Sequence, residues 1–180
     1  MSRSRAIGVP IALALACVFA GVQDAAAQEK QRYLYKPPPG STRYTQTHLM
    51  DVGDVPGHQV RMAEVQSSYS GNGPMYDGVK VVSARSVLVS DYTEGSGRAF
   101  SYTVQALETG DKVFLRTEIL SHSSAGADGA RRTGFTQVAT LVGGTGRFKG
   151  IRGTLRTTGL TDLKTGTSGT ESEGEYWFEK

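Results

Sequence analysis

The sequence predicts an all-β protein, a single antiparallel β-barrel of about eight strands. Short runs rich in Val, Ile, Thr, Tyr and Phe recur along the chain. They are bounded by clusters of Gly, Asn, Asp and Pro at nearly regular spacing. That is the pattern of hairpins in series. No window holds an apolar repeat of about 3.6 residues for several turns, so no long helix is expected. The number of runs matches the smallest barrels that can hold one small ligand. Closing such a sheet also removes the edges that a Gly-rich, cysteine-poor chain would otherwise expose.

The runs follow one another with little between them. Tyr44 to Val52 is the first expected strand, and Gly53-Asp54-Val55-Pro56-Gly57 turns it into His58 to Ser68. Ser70-Gly71-Asn72-Gly73-Pro74 ends that strand, since Gly and Pro there supply turn backbone and remove a ladder donor. Val79 to Tyr92 is β-branched and long enough to bend across a barrel wall. Glu94-Gly95-Ser96-Gly97 leads into Arg98 to Leu107, and Glu108-Thr109-Gly110-Asp111 leads into Lys112 to His122. A looser stretch from Ser123 to Ala130 precedes Thr133 to Val142. Gly153 to Leu160 and Glu173 to Glu179 complete the set, joined by the Gly/Thr/Ser-rich TDLKTGTSGT.

Residues 1–27 have the layout of a signal peptide: Arg3 and Arg5, an apolar stretch from Ala6 to Val22, then Ala25-Ala26-Ala27 as a cleavage site. The stretch is marginal for a membrane helix of roughly 20 residues, and no second one follows. The expectation is an exported protein, periplasmic or extracellular, with no membrane span after cleavage. Cys17 lies inside the leader, where lipidation is a minor alternative because Ala14-Leu15-Ala16 fits the usual leucine-first pattern poorly. A mature chain without cysteine has no disulfides, thiolate metal sites or thiol nucleophile. Residues 28–43, containing Pro37-Pro38-Pro39, read as an extended tail in which Tyr33 and Tyr35 pack back or meet a partner. Residues 44–180 are the barrel domain. The formal net charge is +3, with basic residues scattered. There is no basic stripe interleaved with aromatics, so nucleic acid is not an expected partner.

One motif needs a decision. LVGGTGRFKGIRG, from Leu141 to Gly153, has the glycines and basic side chains of a phosphate cradle. Its spacing is one residue too long for a dinucleotide fingerprint, no Gly-Lys-Ser/Thr follows, and no amphipathic helix begins after it. It reads as a structural turn. Gly143, Gly144 and Gly146 permit reversal, Phe148 caps the barrel end, and Gly150 and Gly153 allow close backbone approach.

The same corner, GGTGRFKGIRG, resembles the GGTG-F-x-x-x-x-G signature of the dirigent and allene oxide cyclase barrel-like families. GFTQVATLV, DVGDVPGHQV and GDKVFLRTEIL are similar to segments of small bacterial exported members of that group. The resemblance implies an eight-stranded barrel with a cavity at one mouth, trimeric in many plant members. It also implies cofactor-free steering of a reactive small molecule. It places no cavity residues on this chain.

Candidate site residues come from strand faces. Along Lys112 to His122, Phe114, Arg116, Glu118, Leu120 and His122 share one face. Facing inward, Arg116 and Glu118 would orient a polar head group while Phe114 lines an apolar pocket. Facing outward, they form an ordinary surface pair. The outward orientation is preferred, and both remain open. Tyr102 is the only hydroxyl on the Phe100, Tyr102, Val104, Ala106 face, where it would donate to a carbonyl or reach solvent. Arg85 lies among Val79, Val81, Val87 and Val89; a buried arginine needs a carboxylate, and Glu64 and Glu118 are candidates. His48, His58 and His122 are isolated in sequence, and Asp51 and Asp54 fit turn chemistry better than calcium. No metal and no cofactor are expected.

The leading expectation is an exported barrel binding a small, partly apolar molecule. One rival is a cyclase or isomerase anchored by Glu118 or Tyr102. The other is a structural or protein-binding module with the Tyr/Pro tail as contact. A homo-oligomer, trimeric by resemblance, is the expected assembly.

Overall fold

Strand runs separated by tight turns leave the chain one easy course, a meander in which each strand pairs with the next. The computed structural model describes residues 29–38, 40–162 and 168–179. The expected signal peptide, Cys17, Pro39 and part of the TDLKTGTSGT connection lie outside the described residues. The elements are β1 (Gln31–Tyr35), β2 (Thr42–Asp51), β3 (His58–Ser68), β4 (Met75–Tyr76), β5 (Val79–Thr93), β6 (Ser96–Leu107), β7 (Lys112–Ala125), β8 (Arg131–Gly144), β9 (Ile151–Asp162) and β10 (Ser168–Phe178). All pairings are antiparallel. The sheet order is β1-β10-β9-β8-β7-β6-β5-β3-β2, with β4 pairing the start of β5. Among the described residues no helix is long and apolar enough to cross a membrane.

The all-β, antiparallel, barrel-like architecture agrees with the sequence, but closure takes another form. No ladder joins β1 to β2. Side chains do the joining instead, at one end of the roll. Tyr33 of β1 stacks on Tyr76 of β4 at 5.5 Å, and Tyr35 meets Tyr69 edge-on at 5.9 Å. The Tyr176 hydroxyl on β10 accepts from the Asp77 backbone N–H at 2.7 Å, and Arg147 pairs with Asp77. Tyr76 is fully buried and makes a further edge contact with Tyr176 at 5.4 Å. Burial pushes the Tyr33 and Tyr76 phenols well above their ordinary range, and Tyr35 up to about 12. These phenols are therefore neutral at physiological pH, and the only formal charges joined across the seam among these contacts are Arg147 and Asp77.

Part of the segment expected to be an extended tail is therefore structural. β1 adds a strand to β10, and Tyr33 is only 5% exposed. Alternating apolar Tyr33 and Tyr35 within a five-residue run was too short a signal to separate a strand from a tail.

The main core lies at the same end. Val79, Val81, Leu107, Val113, Leu141 and Ile151 project inward there, and Phe148 fills the end between strands. The glycine corner holds Phe148 in place. Gly146 takes φ of 53°, and a Cβ on it would stand 2.1 Å from Asp111 Oδ1. Gly144 has no positive φ; what it supplies is space, since a Cβ there would meet the Lys112 carbonyl at 2.4 Å. The donors of this corner are spent on the protein itself. Thr145 N–H donates to the Lys112 carbonyl, Phe148 N–H to the Thr145 carbonyl, and Lys112 N–H to Thr145 Oγ1. A ring of free N–H groups, which a phosphate cradle requires, is not offered.

The Tyr76 hydroxyl faces Tyr33 and Gln105 without completing a hydrogen bond of ordinary geometry. Removing that oxygen alone costs nothing, whereas removing the ring opens the seam. Tyr76→Phe is expected to keep or slightly raise stability, and Tyr76→Ala to lose about 3–5 kcal/mol, both read from urea unfolding.

Candidate functional site

Strand alternation sorts the side chains into an inner and an outer face, and two bulges decide which residue goes where. On β5 the register with β6 shifts between Val81 and Ser83. Val79 and Val81 face in, but beyond the bulge the phase inverts, so Ala84, Leu88 and Ser90 are buried. Arg85 is thereby turned outward, with its side chain 59% exposed. The expectation of a buried Arg85 is corrected for this reason. Its carboxylate partner is Glu64, whose Oε2 accepts from Arg85 Nε at 2.7 Å. Glu64 also accepts from Thr45, the bulged residue of β2, at 2.8 Å and from Gln66 at 3.0 Å. Hydrogen bonds from Thr45, Arg85 and Gln66 hold the Glu64 carboxyl below its usual range.

The other candidates also lie on the outer face. On β6 the inner side is Ala99, Ser101, Gln105 and Leu107, and on β7 it is Val113, Leu115, Thr117 and Ser121. Tyr102 is exposed, Arg116 and Glu118 are exposed, and Phe114 is half-buried. Small Ala, Ser and Thr side chains alternate inside with Gln105, Leu107, Val113 and Leu115. The structure brings these residues together, though not in a cavity. Tyr102 lies opposite Val87 and Arg116, and Phe100 opposite Glu118 and Val89. Arg116 and Glu118 approach at 3.8 Å, a loose exposed pair. The inward placement that would have made Glu118 or Tyr102 a cavity anchor is not found.

A shallow groove of about 460 Å³ lies further down the outer face, between Leu120, His122, Thr136 and Leu160 over Gly134 and Gly169. A second, of about 370 Å³, runs past Lys30, Arg32, Arg156 and Glu173. The first is lined mostly by apolar and small residues, and the second mostly by charged ones, with Lys30 paired to Glu175.

The interior beyond the main core is different. Its buried residues include Ser90, Ser101, Ser121, Thr117 and Thr157, with Ala63, Leu88 and Ala99 as a small apolar cluster beside Val65, Tyr92 and Ile119. Most hydroxyls there satisfy one another. Ser86 and Thr103 are 2.7 Å apart, Thr157 and Ser172 2.8 Å, and Ser121 donates to the Tyr92 hydroxyl at 3.2 Å. Two adjacent groups are exceptions. Arg61 of β3 sits directly opposite Ser90 of β5. Arg61 Nε and Ser90 Oγ are both buried with no hydrogen-bond partner. Among the described residues no carboxylate pairs with Arg61; its guanidinium carbon lies 5.2 Å from the Tyr44 ring centre. Sequence reading missed Arg61. Val60, Met62 and Glu64 on one face and Arg61, Ala63 and Val65 on the other each mix apolar groups with one charge, so alternation did not choose between them.

At the opposite end from the core, His58 bridges two elements. Nδ1 lies 2.6 Å from Asp54 Oδ1 in the β2–β3 turn, and Nε2 lies 2.8 Å from Asp91 Oδ1 on β5. The two carboxylates hold opposite edges of the ring, so they do not converge as metal ligands would. Hydrogen bonds to Asp91 and Asp54 raise the His58 pKa, and the bond from His58 together with the Val55 N–H lowers that of Asp54.

Comparison with protein-family models, with curated proteins and with solved structures finds no match to this chain.

Raised in the folded state, the His58 pKa contributes stability that is complete below its unfolded value of about 6.5 and is lost as pH rises through the folded value. Asp54 contributes above its unfolded value of 3.8, and that share is lost on acidification through the lowered folded value. The His58 ring is expected to titrate above 6.5 by NMR, and His58→Gln to flatten the fall in stability above neutrality. The double change Arg116→Ala, Glu118→Ala is expected to shift urea stability by less than about 0.5 kcal/mol, as an exposed pair should.

Proposed function

We propose that the chain is an exported protein that binds a small molecule with an acidic head group and a partly apolar body inside the rolled sheet. The observation that carries this is Arg61, a half-buried cation with no carboxylate partner among the described residues, directly across from a Ser90 hydroxyl that is likewise unpartnered among them. A guanidinium nitrogen buried without an acceptor, here Arg61 Nε, is costly. An arriving anion would supply the missing charge and accept from both donors. Ala63, Leu88, Ala99 and Ile119 beside it offer the apolar surface that most small-molecule sites have. The leader-like residues 1–27 support export to the periplasm or beyond. The likeness of the glycine corner to the dirigent and allene oxide cyclase families supports an interior used for binding.

A second reading has its own observation. The outer face of β5, β6 and β7 exposes Val87, Phe100, Tyr102 and Val104 around Arg116 and Glu118. Exposed aromatics with arginine are what protein contacts use, so this face supports a protein-binding role.

The test uses two fluorescent probes that share an aromatic body. Anilinonaphthalene sulfonate carries an anionic group and phenylnaphthylamine does not. Arg61→Gln is expected to weaken the sulfonate about tenfold or more, some 1.4 kcal/mol, and to leave the neutral probe unchanged. Arg85→Gln, on the outer face, is expected to change neither. Equal binding of the sulfonate by the parent protein and Arg61→Gln would refute the interior reading.

A further inference from the structure

The sheet ends on β2, and its free edge has few of the features that usually block an edge. It is ten residues long, every residue is exposed, and its outer side has no strand partner among the described residues. Native edges are ordinarily short, or carry Pro or Lys. β2 contains neither, whereas the other edge, β1, is five residues long and runs into Lys36 and Pro37. Its larger apolar groups lie in the open, with Tyr44 57%, Leu49 50% and Met50 69% exposed.

We propose that β2 pairs antiparallel with β2 of a second copy of this chain, about a twofold axis at Thr47. The argument is self-complementarity. The pairing with β3 skips Thr45, so Thr42, Tyr44, Thr47 and Leu49 share the inner face while Arg43, Gln46, His48 and Met50 share the outer. In the twofold register, Thr47 faces its own copy and Gln46 faces the partner's His48. Thr45 is bulged in both strands. Tyr44 then meets the partner's Leu49, Arg43 the partner's Met50, and Thr42 the partner's Asp51.

Each side chain therefore meets one on its own face of the sheet. A one-residue slip would break that match. No like charges are opposed, since Arg43 and Asp51 are the only Arg, Lys, Asp or Glu residues of β2. An aromatic–aliphatic pair occurs twice by symmetry, and Thr against Thr is a favourable cross-strand pair. A twofold contact through one strand is isologous and closes at two copies. The pairing does not depend on whether the interior binds anything, but it bears on that interior. Tyr44 stacks on Arg61, so the partner's Leu49 would extend the wall beside the unpaired guanidinium.

The interface is one strand edge, so the dimer is expected to be concentration-dependent. Full-length chain carrying Cys17→Ser and Thr47→Cys has a single thiol, placed on the proposed axis. Mild oxidation at high protein concentration is expected to give a disulfide-linked dimer. The same chain with Leu34→Cys, an exposed position on β1, is expected to give none. Leu49→Lys with Met50→Lys puts charge on the edge at exposed positions, and is expected to weaken the dimer at least tenfold by light scattering with an unchanged circular dichroism spectrum. A chain that stays monomeric with the Thr47→Cys thiol unlinked overturns the proposal; its β2 edge is then free or covered by its own residues or another protein. A dimer that persists in the lysine variant overturns it as well, because the contact then lies elsewhere.

Discussion

A sheet that rolls without a closing ladder has to be held at its seam by side chains, and here tyrosines carry that load. Tyr33, Tyr35, Tyr69, Tyr76 and Tyr176 come from β1, the β3–β4 connection, β4 and β10, the elements that a barrel must bring together. Phenol rings suit the task because they bury large apolar area with few rotatable bonds and can still place a hydroxyl at the edge. Tyr176 does the latter, accepting from the Asp77 N–H and donating to Gln31 Oε1 at 2.6 Å. The main core, the glycine corner and Phe148 all lie at this end, so seam and core reinforce each other. Away from it nothing comparable among the described residues crosses the gap, and β2 stays exposed along its length.

β2 is nonetheless tied down from one side. Thr45, Glu64 and Arg85 form a chain of hydrogen bonds across β2, β3 and β5, and His58 links the β2–β3 turn to β5 at the far end. Between them these contacts fix the edge strand in register with the sheet. The edge is therefore ordered and unpaired at once, which distinguishes it from a frayed terminus.

The fold was legible because its signals are local and repeated. Strand runs, turn residues and the GGTG corner each constrain a few residues, and together they leave little besides a meander. β1 and β4 were not legible: one has five residues and the other two, below the length at which alternation means anything. The site was harder for a different reason. Which face of a strand turns inward depends on phase, and a bulge reverses phase without a marker in the sequence. Arg85 was assigned to the valine face because Val79 and Val81 were counted through to Val87; the shift at Val81/Ser83 moved it outside. Phe114, Arg116 and Glu118 lie outside, the orientation preferred from sequence, and Tyr102 lies outside with them because Val113, Leu115, Ser101 and Gln105 take the inner face. Arg61 lay hidden in a strand whose two faces look alike.

The placement of Arg61 is easier to understand once the two ends are compared. At the seam end, interior positions are Val, Leu, Ile, Tyr and Phe, and the buried polar atoms left without a partner there, on Tyr35, Tyr76 and Gln105, are uncharged. Around Ala63, Leu88 and Ala99, the interior holds Ser and Thr, some of which bond one another across strands. Burying Arg61 Nε and Ser90 Oγ without acceptors or donors for them costs stability. A rolled sheet can carry that cost when its stability is concentrated elsewhere, and here core, tyrosine seam and corner are all at the other end. On the proposed reading, the Arg61 and Ser90 donors are left for an incoming charge, since a resident carboxylate would compete with the ligand. The same reasoning separates Arg61 from Arg85 and Arg116. Both of those have acidic neighbours and solvent, and neither has anything left to recognise.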